Sequence, residues 1–152
     1  MRVLVVHYHL KPGGVTTVIK RQMAALKARG VECSLLLGET PPGEAPPGDT
    51  HNQFLEPALA YDMPDSPGAR GIAEPERVDA IVRAVETARA SLGGGDTIIH
   101  VHNPTLRKNS ALLPALDTLA SRNLPVLMHV HDLAEDWRPQ VYSGARYPAG
   151  CA

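Results

Sequence analysis

An α/β fold built on a parallel sheet covered on both faces is what this chain of 152 residues predicts, on three observations. Short apolar runs rich in β-branched residues alternate with stretches of helical periodicity, as strands joined by crossover helices do. The runs Val3 to Val6, Thr97 to Ile99 and Val126 to Met128 are almost continuously apolar, which suits strands buried on two sides. Each run then ends in the same pattern, His7-Tyr8-His9, His100-Val101-His102 and His129-Val130-His131, using six of the seven histidines. Ligands of open α/β sheets bind beyond the carboxyl ends of the strands, so these histidines mark a polar, titratable rim against which a ligand is expected to lie.

The first strand is expected over about Arg2 to His7. The turn Pro12-Gly13-Gly14 follows, and then Val15, Val18, Ile19, Met23 and Leu26 recur at helical spacing, with Lys20, Arg21, Lys27 and Arg29 largely off that face. Gly30 closes the helix in the usual C-terminal position, and a second strand, Val31 to Leu37, returns within one residue as in a tight βαβ unit. From Glu39 to Pro75 the chain holds eight of its fourteen prolines and reads as loop, with Ala58-Leu59-Ala60-Tyr61 as a short edge strand. Pro75 fits the first turn of a helix that buries Val78, Ile81, Val82, Val85 and Leu92, with Glu74, Glu76 and Asp79 near its positive end. Gly93-Gly94-Gly95 stops it. A strand from Thr97 to His102 leads to a helix between about Ser110 and Arg122, displaced towards a later start by Pro114, and Pro125 introduces the last strand, ending at His131. Asp132 to Pro139 reads as a polar turn into a short helix anchored by Trp137.

Length and composition narrow the functional classes. The chain is one domain's worth, long enough to bury roughly two thirds of its unfolded surface. Fifteen basic and sixteen acidic residues give a formal charge of -1, so no electrostatic footprint for nucleic acid and no polybasic run for an anionic membrane is present. Its two cysteines, Cys33 and Cys151, form neither a disulfide framework nor a CxxC pair, which fits a reducing, cytoplasmic setting. The first ten residues read as neither a signal peptide nor a membrane span.

The glycine loop has the clearest mechanism. A Gly-Gly pair between a first strand and a first helix permits a sharp turn and brings unshielded N–H groups and the helix's positive end to one spot, suited to a phosphate or a sugar hydroxyl. A plain βα turn needing positive φ is the competing reading, because the full GxGxxG fingerprint and a Walker lysine are both absent. The His-x-His pairs divide similarly. Residues i and i+2 of a strand share a face and could share a metal, with Asp132 adding a carboxylate. Three pairs on three strands, however, offer more ligands than a mononuclear site needs, and since the sheet spaces the strand ends not all can converge. The expectation is therefore no metal, with one histidine of each pair packed under a loop and the other hydrogen-bonding a ligand or backbone.

The stretch from Val3 to Val18 with Gly13-Gly14-Val15 after the first strand, the strand end His100-Val101-His102-Asn103-Pro104, and the strand end His131-Asp132 together resemble the N-terminal domain of family 4 glycosyltransferases of the two-Rossmann-domain (GT-B) type. The resemblance covers most of the chain, least from Glu39 to Pro75, and rests on the order and spacing of the motifs. It implies a Rossmann-like acceptor-side domain facing a second domain that holds a nucleotide-sugar donor, with transfer in the cleft and retention at the anomeric carbon. It implies that Gly13, Gly14 and Val15 form the loop near donor phosphates and acceptor, that His131 lies close to the transferred sugar as the catalytic histidine, and that His102, Asn103 and Asp132 line the acceptor side. Nucleotide-sugar and acceptor are then the partners and no cofactor is needed.

Enzymes of that type are much longer, and their second domain, with its donor-binding glutamates, has no counterpart here. Residues 1–152 are accordingly expected to be a single incomplete domain, a truncated chain, inactive alone and prone to self-association through a sheet edge left uncovered after the last strand. A stand-alone Rossmann-like module for a phosphorylated ligand and a metal-dependent hydrolase built on the His-x-His pairs are the competing functions.

Overall fold

The computed structural model describes residues 1–40, 52–62 and 72–132. Five strands form one all-parallel sheet: β1 (Arg2–His9), β2 (Glu32–Glu39), β3 (Gln53–Leu55), β4 (Thr97–His102) and β5 (Val126–His129). Their spatial order is β3-β2-β1-β4-β5. Three helices connect them, α1 (Gly14–Ala28), α2 (Glu74–Ser91) and α3 (Leu112–Ser121). The α/β Rossmann-like prediction holds.

Register assigns the two faces. Val5 pairs with Leu35 on one side and His100 on the other, while Val6 pairs with Leu36 and Val101. Because neighbours in register share a face and successive residues alternate, the Leu4, Val6, Tyr8, Leu36, Ile99 and Val101 face packs on α2 and α3, and the Val3, Val5, Leu35 and Leu37 face packs on α1. The first is the larger core. It is filled by Ile81, Val85 and Ala88 of α2 and Leu112, Leu116 and Leu119 of α3, all fully buried, each larger aliphatic contributing about 1.5–3 kcal/mol on burial. On the other face α1 lies over β1 and β2, and β4 and β5 present histidines there.

Local chemistry explains several boundaries. The periodicity predicted α1 well except at Val18, which is 38% exposed; Thr16 and Ile19 are the buried residues. Pro114 sits at the third position of α3, where its missing N–H would have had no intrahelical partner, so the helix accommodates it. The edge strand is Gln53–Leu55, and the segment expected as that strand instead forms a 3-10 turn, Pro57–Leu59, capped by the Glu56 side chain accepting from the Ala58 N–H at 2.9 Å. Proline at its first position favours that turn, and its burial against β2 is close: a Cβ on Gly38 would overlap the backbone of Leu59 and Ala60.

Buried polar residues fasten this segment to the β4–α3 connection. Asn109 donates to the carbonyls of Ala58 (2.8 Å) and Ala60 (2.6 Å) and accepts from the Ala111 N–H (3.0 Å). Arg77 of α2, 5% exposed, pairs with Asp62, whose other oxygen accepts from the Ser110 N–H at 2.6 Å. No described helix is long and apolar enough to cross a membrane. Trp137, the short helix expected after Asp132 and the segment from Ser143 to Ala152 lie outside the described residues.

Candidate functional site

The carboxyl ends of β1 and β4 and the residues after β5 meet the glycine loop in a cleft of about 150 Å³, lined by His7, Tyr8, His9, residues 11–16, Tyr61, Asn103, Leu106, Lys108 and Asp132. Gly13, Gly14, Val15, Asn103 and Asp132, distant in sequence, are thereby brought together. His102 lies behind this cleft, fully buried, and His131 is half-buried beside it with its Nε2 2.8 Å from His102 Nδ1. A larger apolar groove of about 490 Å³ between α1 and the start of β2 lies at the opposite, amino-terminal end of the strands, where open α/β sheets do not place their ligands.

The glycine loop differs from the positive-φ turn of the competing reading. Gly13 caps α1 in an extended conformation, φ 167 and ψ 175, which any residue adopts. A Cβ on Gly14 would meet nothing within 4 Å, and one on Gly13 only the Lys11 carbonyl at 3.9 Å. A side chain at Gly14 would thus collide with no described neighbour. Neither backbone strain nor described neighbours require glycine here, so what the pair provides is open access to the backbone. Gly13 offers no side-chain cap, and the first-turn amides of α1 lack intrahelical acceptors. The loop is held from below, Thr16 Oγ1 donating to the Lys11 carbonyl (2.6 Å) and Thr17 Oγ1 to the Gly13 carbonyl (3.0 Å).

Asn103 organises the opposite wall. It occupies the left-handed region, φ 52 and ψ 41, which asparagine tolerates better than most residues. Its N–H donates to the His129 carbonyl (2.8 Å) and its own carbonyl accepts from Tyr8 Oη (3.2 Å). Its Oδ1 accepts from the N–H groups of His131 (2.6 Å) and Asp132 (3.3 Å), and Nδ2 donates to Asp132 Oδ2 (3.0 Å). One side chain therefore positions two of the residues that follow β5, which ends at His129, before the predicted His131.

Two lysines bring positive charge to the cleft. Lys11 Nζ donates to Glu39 (2.6 Å), and Lys108 Nζ donates to Tyr61 Oη (3.2 Å). Lys11, Lys108, Tyr61 and Tyr8 were not singled out from the sequence. Tyr8 was legible as the residue between two rim histidines, whereas Tyr61 and Lys108 are brought in by Asn109 and Asp62, for which no local pattern exists.

The histidines are mostly kept neutral. Burial lowers His7 to about 4, partly offset by the bond from its Nδ1–H to the His102 carbonyl at 3.2 Å, and burial with neighbouring imidazoles lowers His102 to about 3. Burial likewise lowers His9, His100 and His131, with Asp132 opposing the shift at His131. The expectation that one histidine of each pair packs under a loop while the other faces a ligand or backbone fails at β4, and the pairs of β4 and β5 meet. Both His100 and His102 are buried, and the register pair His102–His129 brings four rings into one cluster: centroids are 4.5 Å apart for His100–His102, 4.8 Å for His102–His129, 4.2 Å for His129–His131 and 5.1 Å for His102–His131.

Residues 13–150 match the family model of the glycosyl transferase 4-like domain. No curated protein and no solved structure matches the chain.

Proposed function

The chain belongs to the glycosyl transferase 4-like domain family, and from that premise we propose that it forms the acceptor-side wall of a cleft in which a sugar passes from a nucleotide-sugar donor to an acceptor. The observation that carries this reading is the convergence of the unshielded Gly13–Gly14 backbone with Asn103 and Asp132 at the carboxyl ends of the strands. Open amides at a helix N-terminus suit the phosphate oxygens of a donor or a sugar hydroxyl, and Lys11 and Lys108 add positive charge at the same place. Asp132 and Asn103 supply acceptor and donor groups of the kind that orient hydroxyls. His131, next in sequence to Asp132 of the cleft lining, stands near the transferred sugar by resemblance to the family; its ring rests on His102. Its lowered pKa leaves it neutral near pH 7, able to accept a hydrogen bond or proton.

Volume limits what this wall does alone. Drug-sized ligands occupy clefts of roughly 300–1,000 Å³, and about 150 Å³ holds a sugar ring or a phosphate pair. A donor bound in attack geometry needs a second wall, and such positioning contributes several kcal/mol to lowering the barrier. These 152 residues alone should bind weakly and not turn over, in a setting proposed as cytoplasmic.

The test is a titration of isotopically labelled protein with a nucleotide sugar and, separately, with pyrophosphate. Amide shifts concentrated at Gly13, Gly14, Val15, Asn103 and Asp132 are expected. Shifts concentrated instead along the apolar groove of α1 and β2, or none at millimolar ligand, would overturn the assignment.

A further inference from the structure

On the face of the sheet that carries α1, the helix covers β1 and β2, and the neighbouring strands β4 and β5 line that face with imidazoles. We propose that His100, His102 and His129 form a binding site for a divalent transition metal of zinc type, three imidazole nitrogens from two adjacent strands with a fourth position left for water or an incoming ligand. This goes beyond the transferase reading and does not depend on it.

The backbone already supplies the arrangement. His100 and His102 are i and i+2 on β4 and share a face, and His102 is the register partner of His129 on β5. One ring nitrogen from each of the three lies within 4.8 Å of the others. Zinc–nitrogen bonds of about 2.0–2.1 Å in a tetrahedral set bring ligand atoms to roughly 3.3 Å apart. Closing that difference requires ring rotation and no movement of strands, and His129, half-buried, has the most room to turn. The objection that three His-x-His pairs offer too many ligands is answered by position. His7 and His9 belong to β1, and His131 serves as a partner to a ligand.

A second observation points to an occupant. Nε2 of His100 and Nε2 of His102 have no hydrogen-bond partner among the described residues, on side chains 4% and 0% exposed. Buried polar atoms left unpaired are costly, and two of them on neighbouring rings, centroids 4.5 Å apart, call for a shared partner. An anion would require protonated imidazoles, adding positive charge to three rings packed against one another. A cation that accepts neutral imidazole does not, and among divalent ions imidazole selects the zinc, copper and nickel group over magnesium or calcium.

The outer nitrogens have the partners that such ligands need. His100 Nδ1 lies 3.1 Å from the Gln22 side-chain amide, and Gln22 Oε1 is itself buried and without a partner. With the amide turned so that Oε1 accepts from Nδ1–H, Gln22 Oε1 gains a partner and His100 Nε2 presents its lone pair. His102 Nδ1–H donating to His131 Nε2 at 2.8 Å leaves His102 Nε2 in the same state. His7 holds the His102 carbonyl from β1.

The experiment uses the full chain, stripped with chelator and titrated with zinc chloride by calorimetry and with cobalt chloride by visible absorption. One equivalent should bind, with the intense d–d absorption of a four-coordinate cobalt site. His129→Ala, on the half-buried strand, should abolish both; Gln22→Ala should keep the stoichiometry and weaken affinity about 10- to 100-fold; His9→Ala should change neither. Absence of saturable binding at one equivalent in the unaltered chain, a weak six-coordinate cobalt spectrum, or undiminished binding in both His129→Ala and His100→Ala would overturn the proposal. Because the readout is the metal, failure of sugar binding leaves the result standing, and failure here leaves the transferase reading standing.

Discussion

Replacing Asn103 separates two contributions that the structure assigns to one residue. Its side chain makes three hydrogen bonds, to the N–H groups of His131 and Asp132 and to the Asp132 carboxylate. At a net contribution of about 1 kcal/mol each, reduced for the long 3.3 Å contact, their loss destabilises the chain by about 2–3 kcal/mol. Its φ of 52 adds about 1 kcal/mol for alanine and nothing for glycine. Asn103→Ala should therefore cost about 3–4 kcal/mol and Asn103→Gly about 2–3 kcal/mol. For a chain of this size 1 kcal/mol moves the melting temperature by about 2–4 °C, so Asn103→Ala should melt at least about 6 °C lower, with glycine recovering a few degrees. Thermal melts followed by circular dichroism, with urea titrations for the free energies, measure both. Equal melting temperatures for alanine and the unaltered chain would refute the anchoring role, and glycine less stable than alanine would refute the backbone contribution.

Three other perturbations have defined outcomes. His7 is held below its ordinary pKa, at about 4, by burial, so the unfolded chain binds the extra proton: the stabilisation from neutral His7 is complete above pH 6.5 and is lost as pH falls from 6.5 towards 4, by up to about 3 kcal/mol. Urea midpoints compared at pH 7.5 and 4.5 should show the fall, and His7→Asn should make it shallower, the other buried histidines keeping the remainder; a variant with an unchanged pH slope would contradict the cause. Gly38→Ala places a Cβ on the backbone of Leu59 and Ala60 and should cost about 3 kcal/mol, measured by urea midpoint, whereas a midpoint like that of the unaltered chain would mean the 52–62 segment is not seated on β2. Gly14→Ala, with open space around the new Cβ, should leave stability equal or raised by up to about 1 kcal/mol while reducing the amide shifts caused by a nucleotide sugar; a drop in melting temperature would restore the idea of a tight turn.

Much of the fold was legible because its signals are local. Continuous apolar runs marked β1, β4 and β5, and helical spacing marked α2 and α3, since burial on one or both faces leaves a period in the sequence. Val18 escaped because α1 buries a narrower stripe than its apolar residues suggest. Ala58–Tyr61 was misjudged because four apolar residues suit a strand and a buried turn equally, and Asn109 and Gly38, distant in sequence, decide between them. At the site, Gly13, Gly14, Asn103 and Asp132 were found through motifs at strand ends. Lys108 and Tyr61 were not, since their approach depends on the Asp62 and Asn109 contacts. The meeting of the β4 and β5 histidines depends on strand register, which no segment of sequence states alone.

The sheet is covered unevenly, and this bears on how the two walls of the cleft move. β1 is flanked by β2 and β4 and packed on both faces, whereas β5 has β4 as its neighbour among the described strands and carries Leu127 at 50% exposure. Opening free energies across a protein scale with such local burial. Amide hydrogens at Val5 and Val6 should therefore exchange only by global unfolding, and those of Met128 and His129 through a smaller local excursion. The glycine loop thus extends from the strand of slowest expected exchange, while His131 and Asp132 follow the strand of faster expected exchange. A ligand that spans the cleft, or an ion that ties β4 to β5, would slow exchange on the β5 side alone, so the faster-exchanging wall would report occupancy that the slower one cannot.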